Sequence, residues 1–206
     1  MLAVHARYRG KALRRADLVR RSAEALATLE GVGDFEVLGV EDICAVVETG
    51  PAVCDVVMAL LSDGEWAIGV GIDSALDPED PDSEAAVRSL GTKALGKPGR
   101  ATRAGVVKVA VAPTPALKAS GNTAASDISA TFALLGQVLA KRSIEGRQAT
   151  SLVRRGLTQN EAAEELGISK QAISQRLQAA GWQAENAGWQ LAVNLINWAN
   201  RPEVRG

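Results

Sequence analysis

Residues Thr158–Gln178 read TQNEAAEELGISKQAISQRLQ, and this stretch decides how the carboxyl-terminal part of the chain folds. Thr158 can cap a helix, and Glu161, three residues later, can return a hydrogen bond to complete a capping box. Gly167 stands where that helix has to end, because glycine adopts a positive φ at little cost. Ser169 can then cap a second helix. The stretch predicts two short helices joined by a tight turn.

The spacing of apolar residues gives each of these helices an inner face. Leu166 and its preceding alanines lie together on the first helix, and Ile173 and Leu177, four residues apart, face back from the second. The side chains left outward on the second helix are polar and rich in amides, which can read the edges of bases. They are Lys170, Gln171, Ser174, Gln175 and Gln178. A plain helical hairpin is the alternative, but a hairpin does not require such an outward face.

The stretch resembles the helix-turn-helix of phage repressors and of the fourth region of sigma factors. The outward residues Lys170, Gln171, Ser174, Gln175 and Gln178 are therefore predicted to contact bases, with Gln171 or Gln175 suited to bidentate contact with adenine. A second set is predicted to contact phosphates and to set the register on double-stranded DNA. It comprises Arg147, Arg154, Arg155, Thr158, Ser169 and Arg176.

Charge is distributed unevenly along the 206 residues. The chain has 23 basic and 24 acidic residues, but nine of the basic and only six of the acidic ones lie from Lys141 onward. A basic end on an acidic body suits contact with phosphates. The single histidine and two cysteines predict no metal site, no disulfide framework and no cofactor. We expect a cytoplasmic protein, because no signal peptide and no apolar run of membrane-spanning length is visible.

The order of elements before the recognition stretch predicts an α+β fold. The predicted elements are, in order, strand, helix, strand, strand, helix, strand, helix and strand. This order predicts a ferredoxin-like sandwich, in which helices cover one face of an antiparallel sheet. We expect this domain to span residues 1–115. A connector helix at 116–142 would lead to an all-α helix-turn-helix domain at 143–206.

The last predicted helix, over residues 184–199, carries large apolar residues on two faces. A helix covered on one side only would leave some of them in water. We therefore predict dimerisation through Trp189, Leu191, Leu195, Ile196 and Trp198. A homodimer would hold two recognition helices about 34 Å apart, one DNA turn, and would bind a palindromic operator. The alternative is that these residues complete the core of a small domain.

A second resemblance concerns the amino-terminal part. With Val40-Glu41-Asp42 and residues 64–72, GEWAIGVGI, the chain resembles small actinobacterial regulators that join a SatD-like domain, distantly similar to class III nucleotide cyclases, to a helix-turn-helix. Cyclase chemistry needs a carboxylate from the first strand and one from the hairpin to hold metal ions. The first strand here carries His5, Ala6 and Arg7 instead. The resemblance thus implies a domain without catalysis, and Glu41 and Asp42 are expected to be a solvated turn.

These observations predict a sequence-specific transcriptional regulator that is not an enzyme. The amino-terminal domain would sense a small-molecule effector, support oligomerisation, or both. Two other classes stay open. One is a nucleotide-processing or nucleotide-binding enzyme with an accessory helix-turn-helix, and the other is a sigma-like module that contacts RNA polymerase.

Overall fold

The computed structural model describes residues 1–99, 102–113 and 121–201, which form five strands and eight helices. The strands are β1 Leu2–Tyr8, β2 Glu36–Val37, β3 Asp42–Val47, β4 Trp66–Ile72 and β5 Val107–Val111. The helices are α1 Arg15–Leu26, α2 Gly50–Asp63, α3 Ser83–Leu95, α4 Gly121–Ala140, α5 Ile144–Arg154, α6 Gln159–Glu165, α7 Lys170–Ala179 and α8 Trp182–Ala199. The α+β class is confirmed. The predicted boundary between residues 115 and 116 lies outside the described residues.

The five strands form one open sheet in the order β2-β3-β1-β4-β5. The contacts of β1 with β3 and β4, and of β2 with β3, are antiparallel, whereas β4 and β5 run parallel. The expectation of a purely antiparallel sheet is therefore wrong. The reason is that α3 carries the chain from the end of β4 back to the start of β5, as a parallel connection requires.

Helices cover both faces of the sheet, contrary to the prediction of one covered face. Leu2 and Val4 of β1 point into the main core with α1, α2, α4 and α8, while α3 packs on the opposite face. The close approach of α3 depends on glycines. A Cβ at Gly71 would lie 2.6 Å from the backbone nitrogen of Gly91, so a larger residue there would push the helix off the strand.

The main core also contains much of the carboxyl-terminal helix. Ile128 and Phe132 of α4 and Ile196 of α8 are fully buried in it, and α8 packs along α4 and α2. A helix that was predicted to accompany the 143–206 domain thus returns to the sheet and completes its core. Asn200 just beyond it accepts a hydrogen bond from the amino terminus at 3.2 Å.

Helices α5, α6 and α7 enclose a second, small core. Its buried members are Ala149, Leu152, Ala162, Ala163, Ile173 and Leu177. We call these three helices the recognition unit, and the remaining described elements the body. None of the described helices is both long and apolar enough to cross a membrane.

Candidate nucleic-acid interface

The start of α6 is fixed by hydrogen bonds within its first turn. The hydroxyl of Thr158 accepts from the backbone N–H of Glu161 at 3.3 Å, and the Glu161 carboxylate accepts from the backbone N–H of Thr158 at 2.7 Å. The predicted capping box is present. Bonds from the backbone and then the hydroxyl of Thr158 hold the pKa of Glu161 below its ordinary value. This carboxylate is therefore charged at neutral pH, as the cap requires.

The turn between α6 and α7 also follows the sequence pattern. Gly167 has φ +62°, a left-handed conformation, and the half-buried Ile168 after it packs against the small core. The hydroxyl of Ser169 accepts from the backbone N–H of Ala172 at 3.1 Å and caps α7. Local chemistry thus sets both the end of the first helix and the start of the second.

Helix α7 divides into a buried and an exposed side. Ile173 and Leu177 are 0% and 4% exposed against α5 and α6. The outward side is made by residues spaced three, four and seven apart, which share one helix face. These are Gln171, Ser174, Gln175 and Gln178, with Lys170 exposed at the amino-terminal edge. The five side chains make no hydrogen bond to other described residues, so their polar groups are free to bind an external partner.

Two of the arginines that were predicted to contact phosphates are engaged within the chain. Arg154 pairs with the buried Glu185, and its guanidinium lies over the ring of Trp182 at 5.8 Å. Arg147 donates to the backbone oxygen of Ser62 at 3.3 Å, on the body. The Arg154 side chain is 48% exposed and uses one nitrogen for Glu185, so its contact with a phosphate stays a prediction. The exposed Arg155 has no such engagement among the described residues.

Arg176 lies on the flank of α7 that faces the start of α5. It shares a depression of about 470 Å³ with Lys141, Ser143 and Gln175. Hydrogen bonds from its own backbone and from Ser143 lower the pKa of Glu145, and the nearby Arg176 charge acts in the same direction. Lys141 was not among the predicted contacts. Its sequence position, at the end of a preceding helix, gives no signal, and only the packing of α5 against α7 brings it beside Gln175.

A buried ion network joins the recognition unit to the body. Arg142 is 8% exposed, donates from Nε to the backbone oxygen of Ala180 at 2.8 Å, and pairs with Glu185. Glu185 is 3% exposed and uses its other oxygen for Arg154. One carboxylate from α8 therefore holds arginines from the end of α4 and the end of α5. This network stabilises the described arrangement of the recognition unit on the body.

The five predicted dimerisation residues of α8 fall into two groups. Ile196 is fully buried against this chain's own core, and Trp189 is half-buried and donates to Asp55 at 2.9 Å. Ile196 offers no free face to a second copy and is withdrawn from the predicted contact, whereas the contact of the half-buried Trp189 stays a prediction. Leu191 and Trp198 are 50% and 43% exposed, and the half-buried Leu195 lies between them on the same side of the helix.

A separate polar cluster lies on the α3 face of the sheet. Asp42 Oδ1 accepts from Arg7 Nε and is also 2.7 Å from His5 Nε2, while His5 Nδ1 is 2.9 Å from the hydroxyl of Thr92. Burial alone would raise the pKa of Asp42, but the bonds from His5 and Arg7 hold it below its ordinary value. The expectation that Asp42 is a solvated turn residue is wrong. The register that sets Arg7 opposite Asp42 could not be read from the sequence.

The neighbouring Glu41 behaves differently. It binds Arg15 at 2.6 Å and Arg9 at 3.7 Å at a water-accessible surface. Within the described residues, no group of three or more histidine, cysteine, aspartate and glutamate side chains is arranged to hold a metal ion. Both cysteines are free and buried, and burial raises the pKa of Cys44 to about 11.

The chain was compared with known proteins in three ways. No family model, curated protein or solved structure matches it. The geometry of the interface is therefore the basis on which its function is inferred.

Proposed function

We propose that this protein is a sequence-specific DNA-binding transcriptional regulator that acts through α6 and α7. The observation that carries the proposal is the outward face of α7. Four amide or hydroxyl side chains, at Gln171, Ser174, Gln175 and Gln178, share one exposed face with no internal partner among the described residues. A helix of about 10 Å diameter fits the major groove, where such groups distinguish base pairs.

The distribution of positive charge supports the same proposal. Arg176 and Lys141 share a depression with Gln175, and Arg155 is exposed at the end of α5, whereas α7 itself contributes only Lys170 and Arg176. Phosphate contacts supply most of the affinity of a DNA-binding protein. So few basic residues in one copy predict weak binding by a monomer. We therefore infer that the protein binds DNA as a homodimer.

The surface that we assign to this dimer lies on α8 and α4. Leu191, Leu195 and Trp198 form an exposed apolar strip along α8, and Leu134, which is 70% exposed, lies on α4, the helix packed beside it. Large apolar side chains grouped in this way are typical of surfaces that bind another protein. A two-fold contact through this strip would present two recognition helices to a palindromic operator.

For the body we propose a ferredoxin-like arrangement extended by one strand. The directions and order of β1 to β4 match two split βαβ units, one built around α1 and one around α2. A role in sensing or oligomerisation fits this body better than catalysis. The reason is that Asp42, the hairpin acid, is already paired with Arg7 and hydrogen-bonded to His5.

The experiment that tests the proposal is selection of bound fragments from a random DNA library, followed by titration of the selected site. Gln171→Ala or Gln175→Ala should cost about 1–3 kcal/mol of discrimination at one base position and relax the preference there. Arg155→Ala should weaken binding to all sequences and reduce the slope of log affinity against log salt by about 1. The matched control is Gln190→Ala, which removes a surface amide on α8 whose single bond to another described side chain is to Asn194.

The outcomes of this experiment distinguish the alternative functions. Unchanged sequence preference after replacement of Gln171, Ser174, Gln175 and Gln178 together would overturn direct readout by α7. Absence of any selected sequence, with retained binding to RNA polymerase, would favour the sigma-like alternative. For the dimer, we expect sedimentation to show a two-chain particle that Trp198→Glu converts to single chains. A single-chain wild type would overturn the dimer assignment.

A further inference from the structure

A cleft of about 470 Å³ opens between the body and the recognition unit. Leu29, Asp55, Met58 and Ala59 line it from the body, and Arg154 lines it from α5. Its remaining wall is the first half of α8, with Trp182, Glu185, Asn186 and Trp189. This volume lies in the range of small-molecule sites, which form preferentially where two structural units meet.

The two tryptophans of the cleft belong to different cores. Trp182 packs against the small core of the recognition unit, and Trp189 packs against the main core of the body. They are seven residues apart, two helical turns or about 10 Å on the same side of α8. Met58, from the body, adds an apolar side chain to the lining. These walls suit a flat, largely apolar molecule that touches both units.

The charges that line the cleft differ in how they are compensated. Glu185 is paired with both Arg142 and Arg154, so its charge is neutralised within the protein. Asp55 accepts the indole N–H of Trp189 at 2.9 Å but has no cationic partner among the described residues. An uncompensated carboxylate beside the faces and edges of tryptophan rings attracts a cation, through charge and through the cation–π interaction.

We propose that this cleft is the binding site for a flat organic cation, in which a ring system packs on Trp189 and beside Trp182, whose ring Arg154 already contacts, and an ammonium group pairs with Asp55. The protein then takes an amine, because an anion would meet the Asp55 carboxylate, and the one cation among the described lining residues, Arg154, is already paired with Glu185. This assignment rests on the cleft alone. Its regulatory consequence rests also on the proposed function.

That consequence follows from the position of the site. A ligand that contacts Asp55 on the body and Trp182 beside the recognition unit binds one relative arrangement of the two better than others, and it shifts their equilibrium by that difference in affinity. The cation is therefore an effector that changes the affinity of the regulator for DNA.

The first titration contains no DNA and uses two naphthyl probes of similar shape and opposite charge. The full chain is titrated by calorimetry with 2-naphthylmethylamine, a cation at neutral pH, and with 2-naphthylacetate, its anionic counterpart. We expect the amine to bind about tenfold more tightly, and Asp55→Asn to remove this preference while the helical circular dichroism is unchanged. Asp127→Asn, the same change on an exposed part of α4, should leave binding as it is. Trp182→Leu should weaken both probes.

Three outcomes would overturn the site: no binding of either probe at millimolar concentration, equal affinity for both, or amine binding that survives Asp55→Asn unchanged. The regulatory arm then measures affinity for the selected DNA with and without the amine. A change in DNA affinity below twofold would overturn the coupling between the amine and DNA, although the binding site for the amine would remain. Failure of DNA binding itself would reject the proposed function without affecting the result of the first titration.

Discussion

The body and the recognition unit both enclose apolar side chains, but they are held together in different ways. The main core of the body buries residues from eight of its elements, brought from opposite ends of the chain, such as Leu2 and Ile196. The small core of the recognition unit has only six buried apolar side chains, and all of them lie between Ala149 and Leu177. Caps at Ser143, Thr158 and Ser169 begin its three helices. Local hydrogen bonds thus carry a larger share of its stability.

Because of this difference, we expect the two units to unfold in different ways. A small core with many local bonds can open without the rest of the molecule, whereas a large core of distant residues unfolds cooperatively. The buried ion network around Glu185 joins the two units, since that carboxylate is the main polar contact between the recognition unit and the body.

The largest expected effect comes from comparing one core truncation in each unit. Phe132→Ala should lower the free energy of unfolding by about 4 kcal/mol, because a fully buried ring leaves a cavity in the main core. Ile173→Ala should cost about 3 kcal/mol by the same mechanism. Hydrogen exchange distinguishes them. Ile173→Ala should expose amides of α6 and α7 while β1 and β4 stay protected, and equal loss of protection in both units would contradict independent opening.

The second test removes the buried ion network that joins the recognition unit to the body. Glu185→Gln should cost about 3 kcal/mol, since it leaves the buried Arg142 without its anionic partner. Denaturant unfolding measures this loss, and the two units should then unfold in separate transitions. The double variant Arg142→Met with Glu185→Leu is the control. It should recover most of the stability, because a well-packed apolar pair avoids the cost of burying charges.

The third test compares two adjacent acids of one hairpin. Asp42→Asn should cost about 2 kcal/mol because Arg7, which is 4% exposed, loses its counter-ion. Glu41→Gln should cost less than about 1 kcal/mol, since its partners are water-accessible. Equal losses in thermal unfolding would show that Asp42 is an ordinary surface acid.

The pH dependence of stability gives a further test of the pairing of Asp42 with Arg7. The folded-state pKa of Asp42 is lowered, so its contribution to stability is present above the unfolded pKa of about 3.9 and is lost as pH falls through the folded value. Wild-type stability should therefore decline below about pH 4 more steeply than that of Asp42→Asn. Parallel pH profiles would contradict the pairing.

The smallest expected effect concerns the cap of α6. Thr158→Ala should cost about 1 kcal/mol, because the backbone N–H of Glu161 loses its acceptor. We expect the loss to appear as faster hydrogen exchange in α6 and not in β1 to β5. Thr158→Ser, which keeps the hydroxyl, should retain most of the stability. A matching loss in the serine variant would point to the methyl group instead of the cap.

The sequence by itself determined the local structure of the recognition unit. The capping box at Thr158, the turn at Gly167, the cap at Ser169 and the division of α7 into buried and exposed sides follow from interactions within about four residues. Such interactions depend on residue type and spacing, both of which the sequence states. The α+β class was predictable for a similar reason, since the alternation of strand and helix patterns is also local.

Only the tertiary structure decided the rest. It placed α3 on the second face of the sheet, returned α8 to the main core, set Arg7 opposite Asp42, and paired Arg154 with Glu185. Each of these joins residues far apart in the chain, and many alternative pairings satisfy the same apolar pattern. The choice among them depends on how the whole core packs, through close contacts such as that of Gly71 with Gly91, and local residue patterns do not specify it.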